Sequence, residues 1–447
     1  MKKTEQKSPP TTTAVPVSST ISSSPASFLS KIIITFLILI LVALSYLVMA
    51  YVSSPKAVAS GNQIILPKVT PFSIVWPSYG QSAVGADGFG VVATNGSQTA
   101  HPIASIAKLI LAMSVLNKYP LTAGQIGPTI VITQDDVNLY NTDLAQDGSV
   151  VPVNVGEQLT EYQALQALLI ASGDNIADTL AIWAFGSTDN YIKYANQMVA
   201  DMNLKETHVA DPSGLSPQTV SSAENLVILG EKELKSPVLT DIVSQSTATI
   251  PVVGMIKNYD TLLGSDGVVG IKTGNTIEAG GCFLFAVKNP ANPNEPTIVG
   301  SILGAKDIRT ALNDSRTFIK TNINSFVTVS VLQTGQIIGT YDTPWGQRIN
   351  AVAQKDLTMF TVAGEKISPV ILLQDIKESS RTGAQIGSVT ATAGLNSETI
   401  PVVLDSELIT PTFSWRLKHP FVVFRSISFR PKLSPANWWT SLSSHLK

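Results

Sequence analysis

The sequence holds one cysteine, Cys282, among 447 residues. No internal disulfide can form, so whatever folds here is held together by packing. Histidine is nearly as scarce, with four copies and neither an HExxH nor a CxxC spacing. That pattern argues against a zinc site, and no metal or other cofactor is expected. Charge is sparse as well. Asp, Glu, Lys and Arg make up 14% of the chain and the net charge is −2, without the basic excess of a nucleic-acid binder. No internal repeat is present. What remains is length enough for two or three domains, and an uneven spread of apolar residues.

Residues 1–31 are rich in Ser, Thr, Pro and Lys, cannot bury a core and read as a disordered N-terminus. The run Ile32–Val52 carries no charged residue, and about 20 residues at a rise of about 1.5 Å span a bilayer core. Lys2, Lys3, Lys7 and Lys31 precede it against the single acid Glu5. The positive-inside bias therefore predicts one transmembrane helix, with a cytoplasmic N-terminus and the rest of the chain outside. Ala57-Val58-Ala59 resembles a small-residue cleavage site, so a signal peptide is the competing reading. Signal cores are usually shorter, about 7–15 residues, and an uncleaved anchor is preferred.

Residues 53–70 read as a linker. From 71 to 326, helical patterns mix with short apolar runs flanked by glycine. Pro102–Leu116 is apolar nearly all round, which predicts a buried helix opened by Pro102. Thr160 followed by Gln163 fits a capping box for a helix to Ile170, and a second helix is expected from Asp174 through Ala184. Strands are expected at Gly267–Lys272 and Cys282–Lys288, joined by a glycine-rich turn. Residues 327–410 change texture. Val327–Ile338, Ile349–Ala353, Leu357–Val362, Val370–Leu373, Gln385–Thr392 and Ile400–Leu404 are regularly spaced β-type runs, predicting a small all-β module. The last segment, 411–447, has six Lys or Arg and no Asp or Glu from Thr412 on. It also carries Phe413, Trp415, Phe421, Phe424, Phe429, Trp438 and Trp439, a composition suited to a membrane surface. Pro411, Pro420, Pro431 and Pro435 argue against one continuous helix there.

Three short strings stand in order: Ser105-Ile106-Ala107-Lys108, Ser172-Gly173-Asp174-Asn175 and Lys272-Thr273-Gly274. Ser-x-x-Lys alone is weak, because Ser53 to Lys56 and Ser444 to Lys447 share it. The setting distinguishes Ser105, which is expected in the first turn of the apolar helix. Lys108, three positions on, lies on the same helix face. Desolvation there disfavours the ammonium, and a neutral amine beside a serine is a competent base. A lysine that packs its stem and sends its head to water is the structural alternative. Ser172, at a helix start, can cap or relay a proton. Lys272 with Thr273 can hold a carboxylate, and Gly274 allows a ligand backbone close; an ordinary strand end is the alternative for this string.

In this order the strings resemble those of the active-site serine penicillin-binding proteins and β-lactamases. Longer stretches narrow the likeness to D-alanyl-D-alanine carboxypeptidases. These are Pro102–Lys108, Asp211-Pro212-Ser213-Gly214-Leu215 and Gly270–Cys282, with Gly383–Gly387 resembling that family's C-terminal β-domain. The resemblance covers roughly 71–404. It implies an α/β (α+β) transpeptidase-type domain of the penicillin-binding-protein and β-lactamase kind, followed by a small all-β domain. It implies a penicillin-binding serine carboxypeptidase at a bacterial cell membrane, trimming the terminal D-Ala of peptidoglycan stem peptides, with β-lactams as covalent inhibitors. Endopeptidase or transpeptidase activity stays open beside it. Carried over residue by residue, Ser105 is the nucleophile, Lys108 its base and Ser172 a proton relay. Lys272, Thr273 and Gly274 hold the substrate's carboxylate end, and the backbone N–H groups of Ser105 and Asn275 form the oxyanion hole. Membrane lipid is the remaining partner, met by Ile32–Val52 and by the tail.

The second string departs from the family, where Asn stands two residues after the serine. Here that position is Asp174 and Asn175 follows, so either side chain fills the amide's place toward substrate. A β-lactamase would need a Glu-x-x-Leu-Asn string between the second and third motifs. None occurs between Ser172 and Lys272, since Glu224-Asn225-Leu226 has the wrong spacing. A penicillin-binding sensor or wall-binding module without turnover is the non-enzyme alternative, and the intact Ser105, Lys108, Ser172 and Lys272 speak against it.

Overall fold

The computed structural model describes residues 25–53, 55–66, 72–376 and 379–428. The expectations for residues 1–24, and for the tail from Phe429 on, lie outside the described residues. The apolar run forms a helix, Pro25–Val52. Its stretch Phe28–Val52, with a mean hydropathy of 3.0, is long and apolar enough to cross a membrane by length and composition.

The central element is a five-stranded antiparallel sheet with strand order Val268–Thr276, Gly280–Val287, Ile298–Ala305, Gln81–Ala86, Gly90–Asn95. Both of its faces are covered, which explains why Cys282–Val287 is an unbroken apolar run rather than an alternating one. Cys282, Leu284 and Ala286 join the core built around the helices Ala107–Lys118, Glu161–Leu169, Asp174–Phe185 and Ala223–Glu233. Phe283, Phe285 and Val287 point the other way, into a cluster with Ala311, Leu312, Phe318 and Ile319 of the helix Ile308–Asn322. Each such side chain withdrawn from water contributes roughly 1.5–3 kcal/mol.

Local sequence sets the helix starts. Thr160 and Gln163 form the expected capping box, opening Glu161–Leu169. Thr133 with Asp136 forms a second one at Gln134–Ala145. The helix expected from Asp174 runs to Phe185, where Gly186 in a left-handed conformation ends it.

The β-module has a six-stranded sheet in the order Val58–Gly61, Ile337–Asp342, Arg348–Ala353, Asn396–Leu404, Gln385–Ala393, Ser368–Leu373. A separate pair, Phe326–Leu332 with Leu357–Val362, joins the module to the central sheet. Phe360 meets Phe326 at 6.1 Å and Phe89 at 5.7 Å between ring centres.

Several boundaries differ from expectation, each for a local reason. The expected linker supplies the edge strand Val58–Gly61, which pairs with Ile337–Asp342 because that sheet edge has unmet backbone groups. The run Val327–Ile338 breaks into two strands at Gly335, whose φ of +79 makes a turn. Pro102 does not open a helix. It pairs with Val220 in a two-residue strand, and the α-helix begins at Ala107.

Tail residues Phe413–Lys418 and Pro420–Ser428 form two short helices, broken at the expected Pro420. They lie against the C-terminal end of the apolar helix. Tyr46 donates from its hydroxyl to the carbonyls of Arg416 at 3.0 Å and Leu417 at 2.8 Å, and Arg416 Nη1 donates to Ser53 O at 2.6 Å.

Glu233, at the end of the helix Ala223–Glu233, is fully buried. Burial pushes its carboxyl from 4.5 up to about 8, against a smaller lowering by the Thr240 hydroxyl. A carboxyl raised in the folded state loses stability as pH climbs from the unfolded value through the folded one. Glu233→Gln is therefore expected to raise the thermal midpoint at pH 8 and to flatten its decline between pH 5 and pH 8. An unchanged slope in melting experiments across that window would refute this account of Glu233.

Candidate active site

Ser105 stands half-buried in a single 3-10 turn, Ala104–Ile106, just before the helix Ala107–Lys118. It is thus one turn earlier than a serine inside the helix would be. The turn is tight, with Ala104 at φ +47. Two glycines press on it from other segments. A Cβ on Gly214 would meet Ala104 O at 1.9 Å, and one on Gly274 would meet Ile103 O at 2.8 Å and Ser105 N at 3.2 Å. Neither position has room for a side chain.

Lys108 is wholly buried, yet its amine does not end in apolar surroundings. Nζ donates to Ser105 Oγ at 2.8 Å, to Asp174 Oδ1 at 2.6 Å and to the Ser213 carbonyl at 2.8 Å. The expected apolar desolvation is therefore opposed by a carboxylate in contact, and the snorkelling alternative fails because Nζ never reaches water. Asp211 builds the loop that presents the Ser213 carbonyl. Its Oδ2 accepts from Ser213 Oγ and from the backbone N–H groups of Gly214 and Leu215. Its Oδ1 accepts from Thr219 Oγ1.

Ser172 adopts φ +58 directly before the helix Asp174–Phe185. Lys272 reaches it from the sheet's edge strand, with Nζ 3.0 Å from Ser172 Oγ and 3.0 Å from Thr273 O. The strand does not end at Lys272 as expected but runs on to Thr276, so Lys272, Thr273, Gly274 and Asn275 lie within the ladder opposite Leu284, Phe283, Cys282 and Gly281. Burial, and then the charge of Lys108, lower the Lys272 amine to about 7, while Asp174 and Asp260 act against them.

The two candidates for the second-motif amide part company. Asn175 turns away from the site: its Oδ1 accepts from Val151 N at 2.9 Å and its Nδ2 donates to Val151 O at 2.9 Å. Adjacent residues on a helix point about 100° apart, so when Asp174 faces Lys108 its neighbour cannot. Asn275 directs its side chain to the helix start, where its Oδ1 accepts from Ile308 N at 3.1 Å. Ser213 and Asp211 have no individual role expected from the sequence, although their string carries part of the family likeness. A backbone carbonyl acting as an acceptor leaves no mark on residue identity. Asp143 and Asp178 also gather near Lys108, both pushed up first by burial, with Asp178 reaching about 7.

Ser105 Oγ and the buried Lys108 amine are thus in contact, and Ser172 with Lys272 of the sheet's edge strand forms a second hydrogen-bonded pair, its serine two residues before the Asp174 that Lys108 meets. Residues 83–305 match the family model described as D-alanyl-D-alanine carboxypeptidase. The chain belongs to that family. It is 30% identical over 203 residues to a D-alanyl-D-alanine carboxypeptidase of Mycobacterium tuberculosis, covering 44% of this chain and 65% of that one. A Bacillus subtilis relative of the same description is 28% identical, over 34% of this chain and 41% of its own length. The chain thus spans less than two thirds of either. A relative in Haemophilus influenzae is 21% identical, over 74% and 87% of the two chains. Among solved structures, penicillin binding protein 5 from Haemophilus influenzae has a TM-score of 0.60 at 18% identity, covering 76% of this chain and 99% of that one. It shares the fold, as does the Francisella tularensis D-alanyl-D-alanine carboxypeptidase, at a TM-score of 0.58, 16% identity and 79% and 98% coverage.

The close approach around Ala104 can be tested by stability. Gly214→Ala adds a clash with backbone to the strain of φ +84, whereas Gly156, at φ +82, has open space around an added Cβ. Backbone strain alone costs about 1–3 kcal/mol. Gly156→Ala is expected to lose that much and Gly214→Ala clearly more, lowering its melting point by a further ~5 °C or more. Equal losses in thermal melts would show that the packing around Gly214 is loose.

Proposed function

We propose that this chain is a serine-type D-alanyl-D-alanine carboxypeptidase acting on peptidoglycan stem peptides. The observation that carries the reading is the contact of Lys108 Nζ with Ser105 Oγ at 2.8 Å, in a chain of this family. With Lys108 in its neutral form, Ser105 gives up its hydroxyl proton to Nζ and Oγ attacks the carbonyl carbon between the two D-Ala residues. The developing oxyanion falls to the backbone N–H groups of Ser105 and Asn275. The C–N bond breaks as Ser172, hydrogen-bonded to Lys272, passes a proton to the leaving amine, and the terminal D-Ala departs. Water then hydrolyses the ester on Ser105, its proton returning through the same groups. Lys272 and Thr273 hold the substrate's terminal carboxylate. The apolar helix anchors the chain in a bacterial membrane with its N-terminus in the cytoplasm, so that both folded modules stand outside. The cationic, aromatic tail lies at the lipid surface beside that anchor.

A fluorescent penicillin, whose lactam amide imitates the D-Ala-D-Ala peptide bond, is expected to label the protein covalently at Ser105. Ser105→Ala should remove the label while the circular dichroism spectrum is unchanged. Lys108→Ala should slow labelling about as severely, since members of one catalytic unit are not additive. Label that persists in Ser105→Ala would place the nucleophile elsewhere.

The clamp has its own test. Lys272→Ala should cut cleavage of a free-acid D-Ala-D-Ala peptide by roughly 10- to 150-fold, the equivalent of about 1.5–3 kcal/mol for a charge-assisted contact. A C-terminally amidated peptide should be a poor substrate and little affected. Because the Lys272 amine is held down to about 7, its positive charge is full below that pH and fades above it. The KM for the acid peptide should therefore rise as pH passes through 7, while that for the amide stays level. Equal losses on acid and amide substrates would rule out a carboxylate role.

A further inference from the structure

Residues 149–151 carry neither helix nor strand, yet they are tied to the start of the helix Asp174–Phe185 by two matched pairs of hydrogen bonds. In the first pair, Asp174 N donates to Ser149 O at 2.7 Å and Ser149 N donates to Asp174 Oδ2 at 2.8 Å. In the second, Val151 N donates to Asn175 Oδ1 and Asn175 Nδ2 donates to Val151 O, both at 2.9 Å. Side chains here complete a ladder that a neighbouring strand would otherwise make. A backbone N–H only donates and a backbone C=O only accepts, so the second rung needs one donor and one acceptor on the same side chain. The fully buried Asn175 supplies both. The first rung asks its side chain for an acceptor alone, and there the chain carries Asp174. The order Asp-Asn therefore fits the ladder, and the reverse order would set a carboxylate against the Val151 carbonyl.

This ladder follows directly on the most constrained residue of the site. Ser172 has φ +58, a conformation that persists in a non-glycine residue only where the surroundings over-determine it. The turn around it is pinned from both directions. Gly173 N donates back to Ala167 O at 3.1 Å, and a Cβ on Gly173 would stand 3.0 Å from Val151 Cγ2. Beyond Gly173 come the two rungs to Ser149 and Val151. So held, Ser172 Oγ lies 3.0 Å from Lys272 Nζ.

We propose that Asn175 is a positioning residue that, by clamping Val151, holds the turn at Ser172 and aims its hydroxyl at the leaving nitrogen of the substrate. The inference rests on the reading that Ser172 passes a proton to that nitrogen as the C–N bond breaks. Both polar atoms of Asn175 are committed to Val151, so its effect travels through the turn. Without the clamp the turn relaxes and Ser172 Oγ leaves Lys272. Ser105 and Lys108 keep their contact, because the 3-10 turn and the helix Ala107–Lys118 hold it separately.

The test compares two substrates on the full chain in detergent: a peptide ending in D-Ala-D-Ala, and its thioester counterpart with sulfur in place of the scissile nitrogen. Both carry the same terminal carboxylate and form the same ester on Ser105. The amine must receive a proton as it departs, whereas the sulfur leaves as a thiolate and needs none. The readout is kcat/KM, which covers the steps through acylation. A general acid contributes about 10²- to 10⁴-fold, so Ser172→Ala should lose about that much on the amide and little on the thioester. Asn175→Leu, close in size and without either hydrogen bond, should show the same signature in weaker form, losing about tenfold or more on the amide and less than about threefold on the thioester. Equal losses on the two substrates, the mark of a merely structural role, would overturn the proposal.

If Asn175→Leu fails to fold, hydrogen exchange in wild type decides. The amides of Ser149 and Val151 should exchange about a hundredfold or more slower than an open loop, and unprotected exchange there overturns the clamp. Two controls separate the layers of inference. Thioester cleavage that survives Ser105→Ala, or equal losses on both substrates in Ser172→Ala, defeats the underlying mechanism and this proposal with it. The expected results in those two variants, with equal losses in Asn175→Leu, defeat this proposal alone.

Discussion

Lys108 Nζ is shut away from water, and a buried polar group is costly unless it is hydrogen-bonded. Its three acceptors come from three separate places in the chain: the 3-10 turn, the start of the helix Asp174–Phe185 and the loop after Asp211. Satisfying them ties these segments into one geometry. If the loop moves, the Ser213 carbonyl leaves; if the helix shifts along its axis, Asp174 leaves. The side chains of the candidate site are held on regular elements or next to them, which keeps their geometry rigid.

The sheet brings the fourth segment. Its edge strand carries Lys272 and Gly274 past the serine turn so closely that Gly274 has no room for a Cβ beside Ile103 and Ser105. That strand is fixed from behind by the strand Gly280–Val287, whose side chains enter two separate cores on alternate sides. Packing far from the serine thus decides where Lys272 ends. Lys272 bonds to Ser172, which leads into the helix bearing Asp174, and the loop of contacts closes on Lys108.

Much of this was legible in the sequence because it rests on short-range chemistry. Capping residues at Thr160, the helix from Asp174 and the runs at Leu357–Val362 and Arg348–Ala353 follow from neighbours within a few positions. The three strings located Ser105, Lys108, Ser172 and Lys272, which the fold gathers, and the roles suggested by their chemistry were sharpened by the resemblance. What escaped depends on distant partners. Val58–Gly61 is a strand only because Ile337–Asp342 offers it an edge, and Pro102 joins Val220 for the same reason. The direction of Asn175 follows from Val151, which no local pattern announces. The setting of Lys108 was misjudged for a related cause. The helix around it is apolar, but the amine projects past that helix to a carboxylate and a carbonyl from elsewhere.

The same electrostatics bear on why a carboxylate is tolerated at position 174. Two lysine amines converge on this small volume, and the positive charge of Lys108 is one of the forces that lowers Lys272. Two buried cations without a counter-charge would repel each other in a medium that screens poorly. Asp174 acts on both at once, bonding Lys108 directly and pulling Lys272 back toward its charged form. With Asp260 near Lys272 as a second acid, each amine has a carboxylate of its own.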